Sequence, residues 1–285
     1  MKHAILGAGG IGGLIGAALS RAGHEVTLIV RTPDHPREIR LESRVLGDFT
    51  TTVATAPTLP LGMDVLWVAV KSQQLDQALA AAPPSALGRA QVVPLLNGVE
   101  HVVRLRAVYG HDSVTPGTIR VESERLAPGI YRQLWPAVRV ELAGPRAGAI
   151  AAELEGAGIA SLEDPSEGAM LWRKLTALAA MALTTTVLEG PIGAVRSDPV
   201  WRQRLLAVAG EVGAVARAEG AVVDVNAIRE FLLGIPDDFR SSMQKDRAAG
   251  KAIELDAIAG AVQRAGRQHG VPTPVLDELT ARLLD

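Results

Sequence analysis

The first 31 residues constrain this chain more than any other part of it. A short apolar stretch, His3–Leu6, reads as a strand. It is followed by Gly7-Ala8-Gly9-Gly10-Ile11-Gly12 and then by a small-residue helix from Gly13 to Arg21. His24–Val30 reads as a second strand and leads into Arg31. A glycine-rich turn between a strand and a helix is the phosphate-binding fingerprint of a dinucleotide fold. Gly7 permits the tight turn, Gly9 lets backbone approach a pyrophosphate, and Gly12 allows close helix–strand packing. Ala8, Gly10 and Ile11 complete the turn, and the helix N-terminus offers N–H groups and a positive dipole end to phosphate.

Arg31 refines the cofactor. An NAD site usually carries Asp or Glu at the end of its second strand, where a carboxylate accepts from the ribose 2′-OH. Here that position is Arg31, and no acid follows until Asp34. A guanidinium at this place pairs with a 2′-phosphate, so the expected cofactor is NADPH.

The 285 residues call for two domains. Up to Asp164, strand-like and helix-like segments alternate: Arg44–Ala56 as short β segments, Asp64–Val70 as a buried parallel-type strand, Gln73–Ala82 as a helix, and Gln91–Leu96 as a strand. Pro94 argues against a central place for that last strand. Val114–Gly144 reads as successive β runs, Pro145–Gly156 as a helix and Ile159–Leu162 as a closing strand. Asp164-Pro165-Ser166-Glu167 has the pattern of a helix start. Beyond it come six helical segments, at Trp172–Leu188, Pro199–Glu219, Val225–Leu233, Ser242–Ala249, Ala252–Gln268 and Pro274–Leu284. The expected fold is therefore α/β: an N-terminal Rossmann-type doubly wound sheet over 1–164 and an all-helical domain over 165–285.

Several functions are disfavoured by composition. A formal charge of −2 gives no electrostatic case for nucleic acid or an anionic membrane. The apolar run around Leu175–Leu188 holds four threonines and is flanked by charge, which suits a buried helix better than a membrane span. No segment resembles a secretory signal, and a cytoplasmic protein is expected. There are no cysteines, and the six histidines show no metal-binding spacing, so no metal is expected.

Candidate chemistry lies at strand ends and in the helical half. Lys71-Ser72 and Asn97-Gly98 each close an apolar strand, at the edge where a doubly wound sheet binds ligands. Lys174 opens an otherwise apolar helix, where a lysine either snorkels to solvent or sits in a cleft with a lowered pKa. Ser241 and Gln244 fit a capping box, which leaves the hydroxyl of Ser242 available to a ligand. Glu254, taken alone, reads as a solvated helix carboxylate.

In combination these residues resemble the ketopantoate reductase (2-dehydropantoate 2-reductase) family over nearly the whole chain. The resemblance runs through GAGGIG, Arg31, Val70-Lys71-Ser72, Leu95 to Glu100, Trp172 to Leu175, Ser241 to Asp246 and Glu254-Leu255-Asp256. It implies NADPH-dependent reduction of ketopantoate to pantoate, on the route to pantothenate and coenzyme A, with substrate and nicotinamide between two domains. It also implies roles: Lys174 as general acid, Asn97 orienting lysine and carbonyl, Glu254 positioning the lysine, Ser242 binding the substrate carboxylate. Lys71, Asn97 and Glu254 would line the cofactor pocket, and family members are commonly homodimers. The chain departs from the family at Leu178 and Ala182, one and two turns beyond Lys174, and at Phe239-Arg240. Members often have asparagines at the first two positions, and some have one in place of the last pair. Those substitutions make the expected substrate pocket more apolar. The alternatives on the same residues are a reductase of a more apolar 2-oxo acid or ketone and a non-catalytic NADP sensor.

Overall fold

The computed structural model describes residues 1–32 and 34–284, so Asp285 of the expected helical domain lies outside the described residues. The chain divides into two units. The first comprises Met1–Leu96 and His101–Glu167; the second comprises Asn97–Glu100 and Gly168–Asp285.

The first unit contains β1 (Lys2–Leu6), α1 (Gly10–Arg21), β2 (Glu25–Ile29), β3 (Glu38–Ser43), β4 (Phe49–Thr52), β5 (Ala54–Ala56) and β6 (Val65–Val68). It continues with α2 (Leu75–Leu79), α3 (Pro84–Leu87), β7 (Gln91–Pro94), α4 (Glu100–Tyr109, from its second residue), β8 (Gly117–Arg120), β9 (Ser123–Ala127), β10 (Ile130–Gln133), β11 (Arg139–Ala143), α5 (Ala147–Gly156) and β12 (Ala160–Asp164). Its main sheet is wholly parallel, in the order β5-β2-β1-β6-β7. The inner strands β1, β2 and β6 are buried from their second residue or throughout, as strands covered on both faces must be. Pro94 falls on β7, the edge strand, where a missing N–H costs no central ladder bond. Two smaller sheets, β4-β3-β10-β9 and β12-β11-β8, complete the unit.

Some expected elements shift, each for a visible reason. Helix α1 begins at Gly10 rather than Gly13, because only Gly7 to Gly9 are needed to turn the chain. Residues 44–47, expected as β, form the turn between β3 and β4. There Ser43 Oγ accepts from the N–H groups of Val45 (3.2 Å) and Leu46 (2.9 Å), and Gly47 has φ +76°. Asp64–Val70 narrows to Val65–Val68, and Gln73–Ala82 to a short 3-10 turn followed by α2.

The second unit is helical: α6 (Glu167–Leu188, from its second residue), α7 (Ile192–Ser197), α8 (Pro199–Ala218), α9 (Val225–Gly234), α10 (Ser242–Ala248), α11 (Ala261–His269) and α12 (Pro274–Leu284). Asp164 closes β12, and its Oδ1 accepts from Ser166 N–H (2.9 Å), so α6 starts at Glu167 and not at Pro165. Helix α7 was not expected. Six residues are too few for periodicity to show, and two buried side chains, Ile192 and Val195, hold it in place. The expected helix 252–268 starts late: residues 251–254 are irregular, and Asp256–Gly260 forms a π-helical turn before α11. No helix among the described residues is long and apolar enough to cross a membrane.

Candidate active site

In the first unit, the turn after β1 is shaped by the absence of side chains. Gly7 has φ +110°, and a Cβ there would lie 2.8 Å from the Ala69 carbonyl group. A Cβ on Gly12 would lie 2.0 Å from the Gly7 carbonyl oxygen, so helix and strand meet at backbone distance. Gly9 differs from both. It has ordinary extended geometry (φ −83°), and a Cβ there would meet no atom of a described residue within 4 Å. The space beside Gly9 is the kind of cradle a phosphate group fits. Gly13 N–H closes the first bond of α1, to Gly9 C=O (2.8 Å), which leaves the N–H groups before it for an outside acceptor. The first turn of α1 has no side-chain cap and no acidic residue to compete for them.

The other cofactor candidates of this unit follow neighbouring strands of the same sheet. Arg31, exposed, comes two residues after β2; Lys71, half-buried, comes three residues after β6. Because β2, β1 and β6 are adjacent and parallel, the glycine turn, Arg31 and Lys71 share the carboxyl end of the sheet.

In the second unit, the fold joins two candidates that are 157 residues apart. Asn97 Nδ2 donates to Glu254 Oε2 (3.1 Å), and Glu254 is only 5% exposed. It is therefore not the solvated helix carboxylate its neighbours in sequence suggest. Gly98 (φ +91°) makes the close approach possible, since a Cβ there would stand 2.5 Å from the Ala257 carbonyl oxygen. An arginine secures the same loop. Arg264 donates from Nε and Nη2 to both carboxylate oxygens of Glu100 (2.8 and 2.7 Å) and from Nη1 to Asp256 Oδ1 (2.6 Å). Those two acids hold its guanidinium still more firmly protonated than usual. The π-helical turn lies where these contacts converge, as such turns often do at functional sites.

Lys174 is half-buried on α6. At helical spacing, Leu178, Met181 and Thr185 share its face, and Ala182 lies beside them, fully buried. Thr185 Oγ1 pairs with Ser241 Oγ (2.9 Å), which ties the start of α10 to that face and leaves Ser242, the next residue, exposed. Ser241 caps α10 through Gln244 N–H (3.2 Å). The Gln244 side chain does not complete the box but donates to Gly190 C=O (3.0 Å). A cavity of about 660 Å³ elsewhere in this unit is lined by Arg196, Arg202 and Arg229 among others. Arg196 and Arg229 spend their N–H groups on the carbonyls of Leu233 and Leu206, so these arginines hold structure together.

Comparison with known proteins settles the lineage. Residues 3–142 match the family described as Ketopantoate reductase PanE/ApbA, and residues 168–284 match its C-terminal counterpart. The chain belongs to the ketopantoate reductase family. A 2-dehydropantoate 2-reductase of Mycobacterium tuberculosis is 34% identical, over 98% of this chain and 96% of its own. The crystal structure of a PanE/ApbA family ketopantoate reductase from Ralstonia eutropha is 31% identical with a TM-score of 0.88, covering 99% of this chain and 96% of the other. A ternary structure of D-mandelate dehydrogenase with NADH and anilino(oxo)acetate is 22% identical over 99% and 97% of the two chains. Its TM-score of 0.89 shows the same fold.

Of the supporting residues, Glu100 and Asp256 enter the sequence reading only as members of the resemblance motifs, with no role of their own, and Arg264 does not enter it at all. Only the i, i+8 spacing of Asp256 and Arg264 hints at a shared helix face, and such pairs are common on exposed helices. The histidines, expected to be scattered, are partly gathered. His3, His24 and Glu153 each place one possible ligand atom within 4.8 Å of the others. Trp67 Nε1–H donates to His3 Nδ1 (3.2 Å), so the neutral ring keeps its proton on Nε2 and that atom offers no lone pair to a metal.

Proposed function

We propose that this ketopantoate reductase family member reduces 2-dehydropantoate to pantoate with NADPH, the step that supplies pantoate for pantothenate and coenzyme A. The observation that carries this reading is the Asn97–Glu254 hydrogen bond, made by a buried carboxylate. A protein that only sensed a nucleotide has no need of such a pair. The M. tuberculosis relative is named for the same reaction.

When bound, the nicotinamide supplies a hydride to C2 of the 2-oxo acid. The chain's residues do the rest. Gly7, Ala8, Gly9, Gly10, Ile11 and Gly12 hold the pyrophosphate, Arg31 pairs with the 2′-phosphate, and Lys71 lines the same pocket. Lys174 Nζ meets the charge growing on the C2 oxygen and delivers the proton that completes the alcohol. Asn97 orients carbonyl and lysine. Glu254, fixed by Asn97, positions the lysine. Ser242 donates its hydroxyl to the substrate carboxylate, and Leu178 and Ala182 give the substrate side of α6 its apolar surface.

The test is oxidation of NADPH with ketopantoate, run beside 2-oxoisovalerate, which lacks the hydroxyl of the tail. A clear preference in kcat/KM for ketopantoate is expected. Equal or reversed preference would leave the reductase chemistry standing and remove the pantothenate role.

A further inference from the structure

The β9–β10 hairpin lies along α1, and its contacts converge on the glycine turn. Cross-strand pairing sets Arg125 opposite Tyr131 and Ser123 opposite Gln133. Directly paired residues share a face of the sheet. Tyr131 is fully buried, with its ring where a Cβ on Gly13 would be, so this face is the one turned to α1. Ser123 and Arg125, two residues apart, both lie on it, while Glu124 lies on the other face opposite Arg132. Both inward residues donate to carbonyls of the turn: Ser123 Oγ to Gly10 C=O (2.9 Å), and Arg125 Nη1 to Ala8 C=O (3.4 Å).

In a trans peptide the carbonyl and the following N–H point in opposite directions. Holding the Ala8 carbonyl toward the hairpin therefore turns Gly9 N–H away from it. Holding the Gly10 carbonyl does the same for Ile11 N–H. Hydrogen bonds to a carbonyl also polarise the N–H of the same peptide and make it a better donor. Arg125 adds a positive charge beside the turn, and only one of its N–H groups is engaged by a described residue.

We propose that Ser123 and Arg125 are positioning residues for the cofactor diphosphate, clamping the glycine turn from behind so that the N–H groups of Gly9 and Ile11 face the phosphates. The proposal rests on the dinucleotide reading above and extends it to a strand outside the nucleotide fingerprint. It makes the hairpin part of the cofactor site, although neither residue belongs to the parallel sheet.

The experiment measures the affinity of the whole protein for NADPH, NADH and adenosine 2′-monophosphate, which carries the 2′-phosphate without the diphosphate. Arg125→Ala is expected to weaken NADPH and NADH by the same factor, roughly tenfold, with 2′-AMP binding and Tm unchanged. Ser123→Ala should show the same pattern at roughly threefold. Arg125→Lys and Ser123→Thr should recover most of the loss, and kcat at saturating cofactor should stay at the parent value in all four. Arg31→Ala gives the opposite pattern, weakening NADPH and 2′-AMP and sparing NADH. Dinucleotide affinities within twofold of the parent in both alanine variants would overturn the clamp. So would an equal loss for 2′-AMP, which would mean general damage to the unit. A parent protein that binds neither dinucleotide would remove the underlying reading itself.

Discussion

The glycine turn of the first unit and the Asn97–Glu254 pair of the second are built in opposite ways. The turn works by omission: in the proposed reading backbone N–H groups do the binding, and Gly7 and Gly12 clear the room. Nothing in it titrates, and a single added carbon is felt. The second site works by side chains. A buried carboxylate is held by an amide, while a guanidinium fork braces the loop beneath it. Such a site tolerates isosteric change in shape but depends on which groups carry charge. The first should therefore fail through sterics, and the second through chemistry.

The largest effect should come from the steric half. Gly12→Ala places a methyl 2.0 Å from a backbone oxygen that cannot swing aside. It should destabilise the first unit by about 3 kcal/mol or more, read as a drop in the denaturant midpoint. Gly9→Ala enters open space with ordinary backbone angles. It should leave stability within about 0.5 kcal/mol of the parent while weakening NADPH binding. If both variants lose stability equally, the distinction between packing glycine and binding glycine is wrong.

The chemical half breaks differently. Lys174→Ala should lower kcat by roughly 10²- to 10⁴-fold and leave NADPH affinity and Tm near the parent values. Turnover as fast as the parent's would show that another group delivers the proton. Glu254→Gln keeps the shape and a hydrogen-bonding oxygen for Asn97, so it should cost less than the lysine change, and mostly in kcat.

The same contrast explains what could be read from the sequence. The turn is local: six consecutive residues between a strand and a helix carry their own spacing, and the parallel sheet follows from apolar runs such as Asp64–Val70. Glu254 could not be placed that way. Its neighbours Lys251 and Asp256 are exposed, and the partner that buries it is 157 residues away. The irregular residues 252–254 and the π-helical turn after them were legible only as helix, since local propensity carries no record of Asn97. The Ser123–Arg125 face was likewise hidden, because its target is a carbonyl pair in α1's approach and not a residue type. Resemblance to a family reached Lys174, Asn97 and Glu254; it could not supply the bracing arginine.

The smallest effect sharpens the comparison by supplying a titration that belongs to neither site. His3, at the start of β1, has its pKa lowered from 6.5 to about 3, mainly by burial and then by the charges of His24 and the N-terminus. Between those two values the unfolded chain binds the proton and the folded chain does not. Stability is thus unaffected above pH 6.5 and falls as pH drops toward 3. At pH 5 the loss should be about 2 kcal/mol. His3→Gln keeps an acceptor for Trp67 Nε1–H and does not titrate, so its denaturant midpoint should change less between pH 7 and pH 5 than the parent's. Because His3 lies at the opposite end of β1 from the glycine turn, dinucleotide affinity at pH 7 should be the same in both proteins. A parent-like acid dependence in His3→Gln would move the titration elsewhere. A loss of affinity at pH 7 would show that the turn is coupled to the far end of its strand, and the first site would then be less purely steric than its glycines suggest.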